Sequence, residues 1–268
     1  MAVEAATPAT APPRGGAIAL LVASGGRPAL KTIVLPLLVV AAIAWTFTVR
    51  GGSGSMDMSA AGFVGAWIVM MVAMMLPAVA PVVGLYSLAA RRGLVAAVPF
   101  FLGGYLLVWA ASAIPAYAVA RGVDNPLMQG DMWAQRLVGG TLVAAGLFQL
   151  TPLKEMCLQH CRSPLSFFMA RASSMRTRPA AVRAGVGHGL YCLGCCWALM
   201  AILVVLGGMQ LAWALGLAAV ITLEKLAPWG AAFSRITSAA ALGLGVAVLI
   251  SPSLVTHLIA MPSASMTM

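Results

Sequence analysis

Charge is what this sequence has least of. Only six of its 268 residues are Asp or Glu, and charged residues together make up 8%, against roughly 25% in an ordinary soluble domain. A shell that poor in charge could not keep a globule of this size in water. Hydrophobic residues reach 62% and the mean hydropathy is +0.98, so apolar surface far exceeds what one aqueous core could hide. No nucleotide-binding motif and no phosphorylation loop is present, which excludes an ATP-driven pump. No stretch repeats itself, which gives an inverted-repeat transporter design no support. Residues 1–16 lack the basic region running into a short apolar core that a cleaved signal would need. They are expected to be kept as part of a disordered or interfacial tail over 1–28.

What is present is long apolar runs, at about 30–49, 62–85, 94–119, 136–150, 184–206, 211–226 and 236–258. A helix needs about 20 residues to cross a bilayer, and lipid offers no hydrogen-bond partners to an open backbone. The expected fold is therefore all-α, a polytopic transmembrane bundle of about seven helices over residues 29–259. The fourth and sixth runs are short and are expected to tilt or lean on longer neighbours. With the N-terminus in the cytoplasm, Arg14, Arg27, Lys31, Arg91, Arg92, Lys154, Arg162, Arg171, Arg176, Arg178, Arg183, Lys225 and Arg235 all lie inside. Only Arg50, Arg121 and Arg136 remain outside, and the C-terminus follows them there.

The net charge of +10 thus reads as membrane orientation. The basic residues are scattered between apolar runs, so no nucleic-acid partner is expected; the lipid bilayer is the expected partner. The connection 151–183 is the one sizeable cytoplasmic loop. Within it, 165–170 reads as a short amphipathic segment on the inner leaflet. Residues 260–268 form a Met-containing outer tail.

Sulfur and imidazole are concentrated rather than abundant. The sequence holds five Cys and, counted along it, three His; all five Cys and two of the His fall in two short segments. One is Gly187-His188-Gly189-Leu190-Tyr191-Cys192-Leu193-Gly194-Cys195-Cys196-Trp197. On a helix Cys192 lies about 40° from His188, Cys195 about 20° to the other side and Cys196 about 80° round. The neighbouring glycines would let another helix approach that face closely. The other segment is Cys157-Leu158-Gln159-His160-Cys161, where one helical turn puts both Cys on a single face. Both segments belong to the cytoplasmic side, so the fold can bring them together, with Cys157 or Cys161 close to His188.

Thiolate and neutral imidazole suit soft metals, above all Cu(I), with zinc the poorer fit. The alternative for each Cys is plain packing, since free Cys is among the most readily buried residues. A disulfide fits the reducing cytoplasm badly, whereas a thiol relay stays open.

Methionine supplies a second set of soft donors, seventeen in all. Met70, Met71, Met74 and Met75 make two adjacent stripes just before Pro77 and Pro81. Met56, Met58, Met128, Met132, Met209, Met261, Met266 and Met268, with His257, are expected on the outer side, where thioethers survive oxidation better than thiols. Core packing competes with ligation for every one of these Met residues. Glu224 and Lys225 read as an interfacial pair, or alternatively Glu224 as a carboxylate supporting a ligand, and Tyr191 as a similar support. Gln149 and Tyr105 are the other polar groups in the spans.

Several of these motifs, in order, resemble a bacterial family of unknown function described as predicted metal-binding integral membrane proteins. The residues concerned are Gln149-Leu150-Thr151-Pro152-Leu153-Lys154, Cys157 through Pro164, His188 through Met200, Glu224-Lys225, and the stretch from Trp67 to Pro77 with Pro81 and Tyr86. The likeness covers roughly residues 60–230. It implies a multi-pass protein of the bacterial inner membrane that binds metal, and no known substrate or reaction.

The functional expectation is a Cu(I)-binding membrane protein acting in copper handling, transfer or transport. Cys157, His160, Cys161, His188, Cys192, Cys195 and Cys196 are the expected ligands, with the four Met as weaker ones. A metallochaperone or a larger membrane complex would be its partner, and an oligomer is compatible with this. Two other classes stay open: a membrane thiol or metal oxidoreductase, and a structural subunit of a larger complex.

Overall fold

The computed structural model describes residues 30–50, 59–89, 97–162, 177–206 and 211–260. The tail 1–28, the segment 165–170 and the outer residues Met56, Met58, Met209, Met261, Met266 and Met268 lie outside these. The described secondary structure is helical throughout, as the apolar runs require. A π-helical turn, Leu30–Val34, leads into α1 (Leu35–Arg50). There follow α2 (Ala60–Ala89), α3 (Val98–Met128), α4 (Met132–Gln149), α5 (Pro152–Arg162), α6 (Arg178–Val205), α7 (Leu211–Leu226), α8 (Gly230–Ile250) and α9 (Leu254–Ala260). The run read as 236–258 is two helices, α8 and α9, parted at Ser251-Pro252-Ser253, because Pro252 has no N–H to carry the helical ladder onward.

Among the described residues, five stretches are long and apolar enough to cross a membrane: α1 counted from Thr32, α2 to Gly84, α3, α6 and α8. A sixth arises if α4 and α5, bent by 66° against each other, form one broken span. The remaining expected span, α7, has 16 residues. That is about 24 Å of helix at 1.5 Å per residue, short of the ≈ 30 Å hydrocarbon core. Outward-facing positions are apolar along these helices, with Phe47, Leu107, Ile114, Ile236 and Ile250 all exposed.

The break between α4 and α5 has a local cause. The Thr151 hydroxyl donates to the Phe148 carbonyl at 2.7 Å and accepts the Lys154 N–H at 3.3 Å, while Pro152 opens the next helix. A capping Thr followed by Pro at the first helical position is a strong start signal. The new helix buries Lys154, Cys157, Leu158 and Cys161, a stripe at i, i+3, i+4 and i+7. What reads in sequence as the beginning of a cytoplasmic loop is therefore an amphipathic helix packed into the bundle.

Helices α3 and α6 form the most extensive contact, followed by α4 with α8. Glycine makes both possible. A β-carbon at Gly104 would strike the Val182 carbonyl, and one at Gly185 the Phe101 carbonyl. At Gly189 it would press on Val108 and the Tyr105 carbonyl. Small residues four apart thus let two backbones touch, with Gly185 and Gly189 as the contact points. Gly139, Gly146 and Gly245 serve α4 and α8 in the same way, and Ser238 donates across that seam to the Gly146 carbonyl at 2.7 Å. Gly130, at φ +79°, turns the chain between α3 and α4, a left-handed conformation that costs glycine nothing.

Candidate metal centre

Helix α5 lies against α6 and touches α4 and α7, which brings the two cysteine segments together. All five thiols are free and buried. Cys161 Sγ stands 3.9 Å from Cys195 Sγ, and Cys161 is also in side-chain contact with Cys192. Cys157 Sγ packs on the backbone at Gly194, where a β-carbon would sit only 2.9 Å from it. Within α6 the Cys195 and Cys196 thiols donate to one acceptor, the Cys192 carbonyl, at 3.1 and 2.9 Å. Cys196 therefore folds back toward the cluster, where helical spacing alone would have turned it aside.

Cys192 is the most heavily engaged sulfur. Lys225 Nζ donates to it at 2.9 Å, and the Tyr105 hydroxyl shares a hydrogen bond with it at 3.0 Å. His188 is buried one turn away between the rings of Phe101 and Tyr105, at centroid distances of 5.9 and 6.0 Å. It is close enough to Cys192, Cys195 and Lys225 to feel their charges. From the loop segment, Cys161 reaches Cys195. His160 sits at the edge, stacked on Tyr191 with ring centroids 4.2 Å apart and planes 6° from parallel. Its Nδ1 is 2.9 Å from the Met156 carbonyl, which leaves Nε2 as the lone-pair nitrogen when Nδ1 carries the proton.

The two residues read as one interfacial pair do different things. Glu224 accepts from Lys154 Nζ at 2.6 Å and from Gln149 Nε2 at 3.0 Å, and Lys154 also donates to Gln149 Oε1. Lys225 turns to the sulfur. Neither lysine is an interfacial loop charge: Lys154 is 1% exposed and Lys225 4%. Arg162, too, is occupied, donating to the carbonyls of Glu224, Ala227 and Pro228 at 3.2, 2.8 and 3.1 Å. A cation bound to the last carbonyls of a helix is favoured there by the helix dipole. All three cations are thus held by pairing or helix capping inside the bundle.

The four methionines Met70, Met71, Met74 and Met75 are fully buried on α2. That helix packs mainly on α1, α3 and α7, whereas the thiols belong to α5 and α6. Trp67, one turn before them, donates to the Trp109 carbonyl and to Ser112 Oγ, both at 3.2 Å, fixing α2 on α3. Sequence reasoning missed Lys225 and Tyr105 as partners of a cysteine. The available signal was cost, since a Lys and a Tyr in a bilayer segment need a partner.

Among the described residues no group of three or more His, Cys, Asp or Glu side chains stands ready-made around a metal position. Cys161 and Cys195 nevertheless bring two thiols together from different helices. Two sulfurs 3.9 Å apart, each about 2.3 Å from one ion, subtend about 115° there. That angle suits an ion held by two or three soft donors, and thiol is the softest donor a protein offers.

A family described as copper chaperone matches residues 64–248 of the chain. That range contains every cysteine, and the chain belongs to this family. The copper in that description makes more definite the metal-binding family that the sequence motifs resemble. No curated protein and no solved structure matches the chain.

Proposed function

We propose that this is a multi-pass protein of the bacterial inner membrane that takes up Cu(I) and passes it on, with copper as cargo. The observation that carries the reading is the meeting of thiols from two helices, Cys161 of α5 and Cys195 of α6, with Cys192 beside them. Cys157 and His160 lie on α5 beside this pair, and His188 lies one turn before Cys192 in α6, nearer the start of that helix. Such a row lets a soft ion move by exchanging one sulfur for the next, a transfer that needs neither ATP nor a change of oxidation state. The buried methionines of α2 offer weaker donors on a helix that packs on α3 and α7, and a metallochaperone or a membrane complex would receive the ion.

Elemental analysis of anaerobically purified protein tests this directly. Wild type is expected to carry about one equivalent of copper or more, and the Cys192/Cys195/Cys196 triple Ser variant little. Equal, near-zero copper in both would end the proposal. If thiol trapping in cells then caught mixed disulfides at Cys195 or Cys196, the thiol relay would take its place.

Orientation is tested separately. Reporter fusions after Arg92 and within 171–178 are expected to report cytoplasm, and fusions after Gly52, Gln129 and Met268 the outside. A cytoplasmic C-terminus would show that α7, or the α4–α5 pair, does not cross.

A further inference from the structure

Glu224 and Lys225 are adjacent in sequence and both buried, yet they do not neutralise each other. The Glu224 carboxylate is taken by Lys154 at 2.6 Å. Lys225 therefore brings to the thiol cluster a positive charge that no carboxylate among the described residues pairs with, its Nζ lying 2.9 Å from Cys192 Sγ. A buried charge is kept only where something nearby compensates it, and here that something is sulfur.

On the copper reading above, we infer that Lys225 determines specificity at this cluster, favouring a monovalent soft cation over a divalent one. The reason is electrostatic. Sulfur donors alone discriminate poorly among soft ions. For one and the same set of donors, however, a divalent ion brings one more positive charge than Cu(I) or Ag(I). An ion on Cys192 at about 2.3 Å is at most about 5 Å from the ammonium. At that range and in a medium far less polar than water, the extra repulsion is large. Tyr105 touches the same sulfur, at 3.0 Å, without a formal charge, so it separates the effect of charge from that of a lost contact.

The experiment is a set of competition titrations, under anaerobic conditions in detergent, with Cu(I), Ag(I) and Cd(II). Softness is similar across the three while charge differs. Lys225→Met and Lys225→Gln remove the charge, and the Gln variant keeps an N–H donor for Cys192 and with it the local packing. In both, affinity for Cd(II) relative to Cu(I) and Ag(I) is expected to rise by at least about tenfold. Lys225→Arg, which keeps the charge, and Tyr105→Phe, which never had one, are expected to stay within about threefold of wild type. An unchanged ratio in both neutral variants overturns the inference, as does an equal shift in Tyr105→Phe. Wild type that binds neither Cu(I) nor Ag(I) would remove the copper reading itself. Wild type that binds them with a ratio indifferent to Lys225 would remove only the role of Lys225.

Discussion

Cys195→Ser is expected to lower Cu(I) affinity by more than about 100-fold, because even outer partners of metal ligands are worth about 10–100-fold. Zn(II) affinity should fall less, since a hydroxyl is a tolerable donor for the harder ion and a poor one for Cu(I). Cys161→Ser should behave alike, because its sulfur lies 3.9 Å from that of Cys195. The informative contrast is Cys157→Ser. Its sulfur rests against Gly194, so it is expected to slow loading more than it weakens final affinity. Titration against a Cu(I) chelator gives the affinities, and stopped-flow exchange from the same chelator gives the rates. Unchanged affinity in both the Cys161 and Cys195 variants would return the cluster to packed membrane cysteines.

Much of this was legible before the fold was seen, and the pattern of success is physical. Helices follow from the apolar runs because a backbone in lipid has no other way to satisfy itself. Cys157 and Cys161 share a face because helical geometry dictates it, and they meet α6 because Lys154, Leu158 and both cysteines form one buried stripe. The partners of charged groups were not legible. Glu224 and Lys225 are neighbours in the chain, but successive residues on a helix point about 100° apart, so each finds its own partner on a different helix. Arg162 reads as a loop cation for the same reason, since its acceptors are carbonyls that become available only when α7 ends beside it. The close approach at Gly194 was legible as small-residue packing, whereas its occupant, the Cys157 sulfur, was not.

A buried ion pair ties α5 to α7. Lys154 and Glu224 meet at 2.6 Å, with side chains 1% and 3% exposed, and Gln149 satisfies what remains of both. Removing one partner leaves the other charge buried and unpaired, which costs about 3–5 kcal/mol, whereas replacing both by apolar residues of similar size is often neutral. Glu224→Gln and Lys154→Met, each alone, are therefore expected to lower stability by about that amount in detergent unfolding. Lys154→Met combined with Glu224→Leu should recover most of the loss. Copper binding should follow the same order, because the pair fixes the helix that carries Cys161 against the one that carries Cys195. Arg162, which ties the far end of α5 to carbonyls at the end of α7 and just beyond it, gives the double variant a reason to keep that geometry. Single variants as stable as wild type would mean that the pair is hydrated and that α5 is held by its apolar stripe. A double variant that is stable yet cannot bind Cu(I) would mean that the charges act on the metal directly, and not through the placement of a helix.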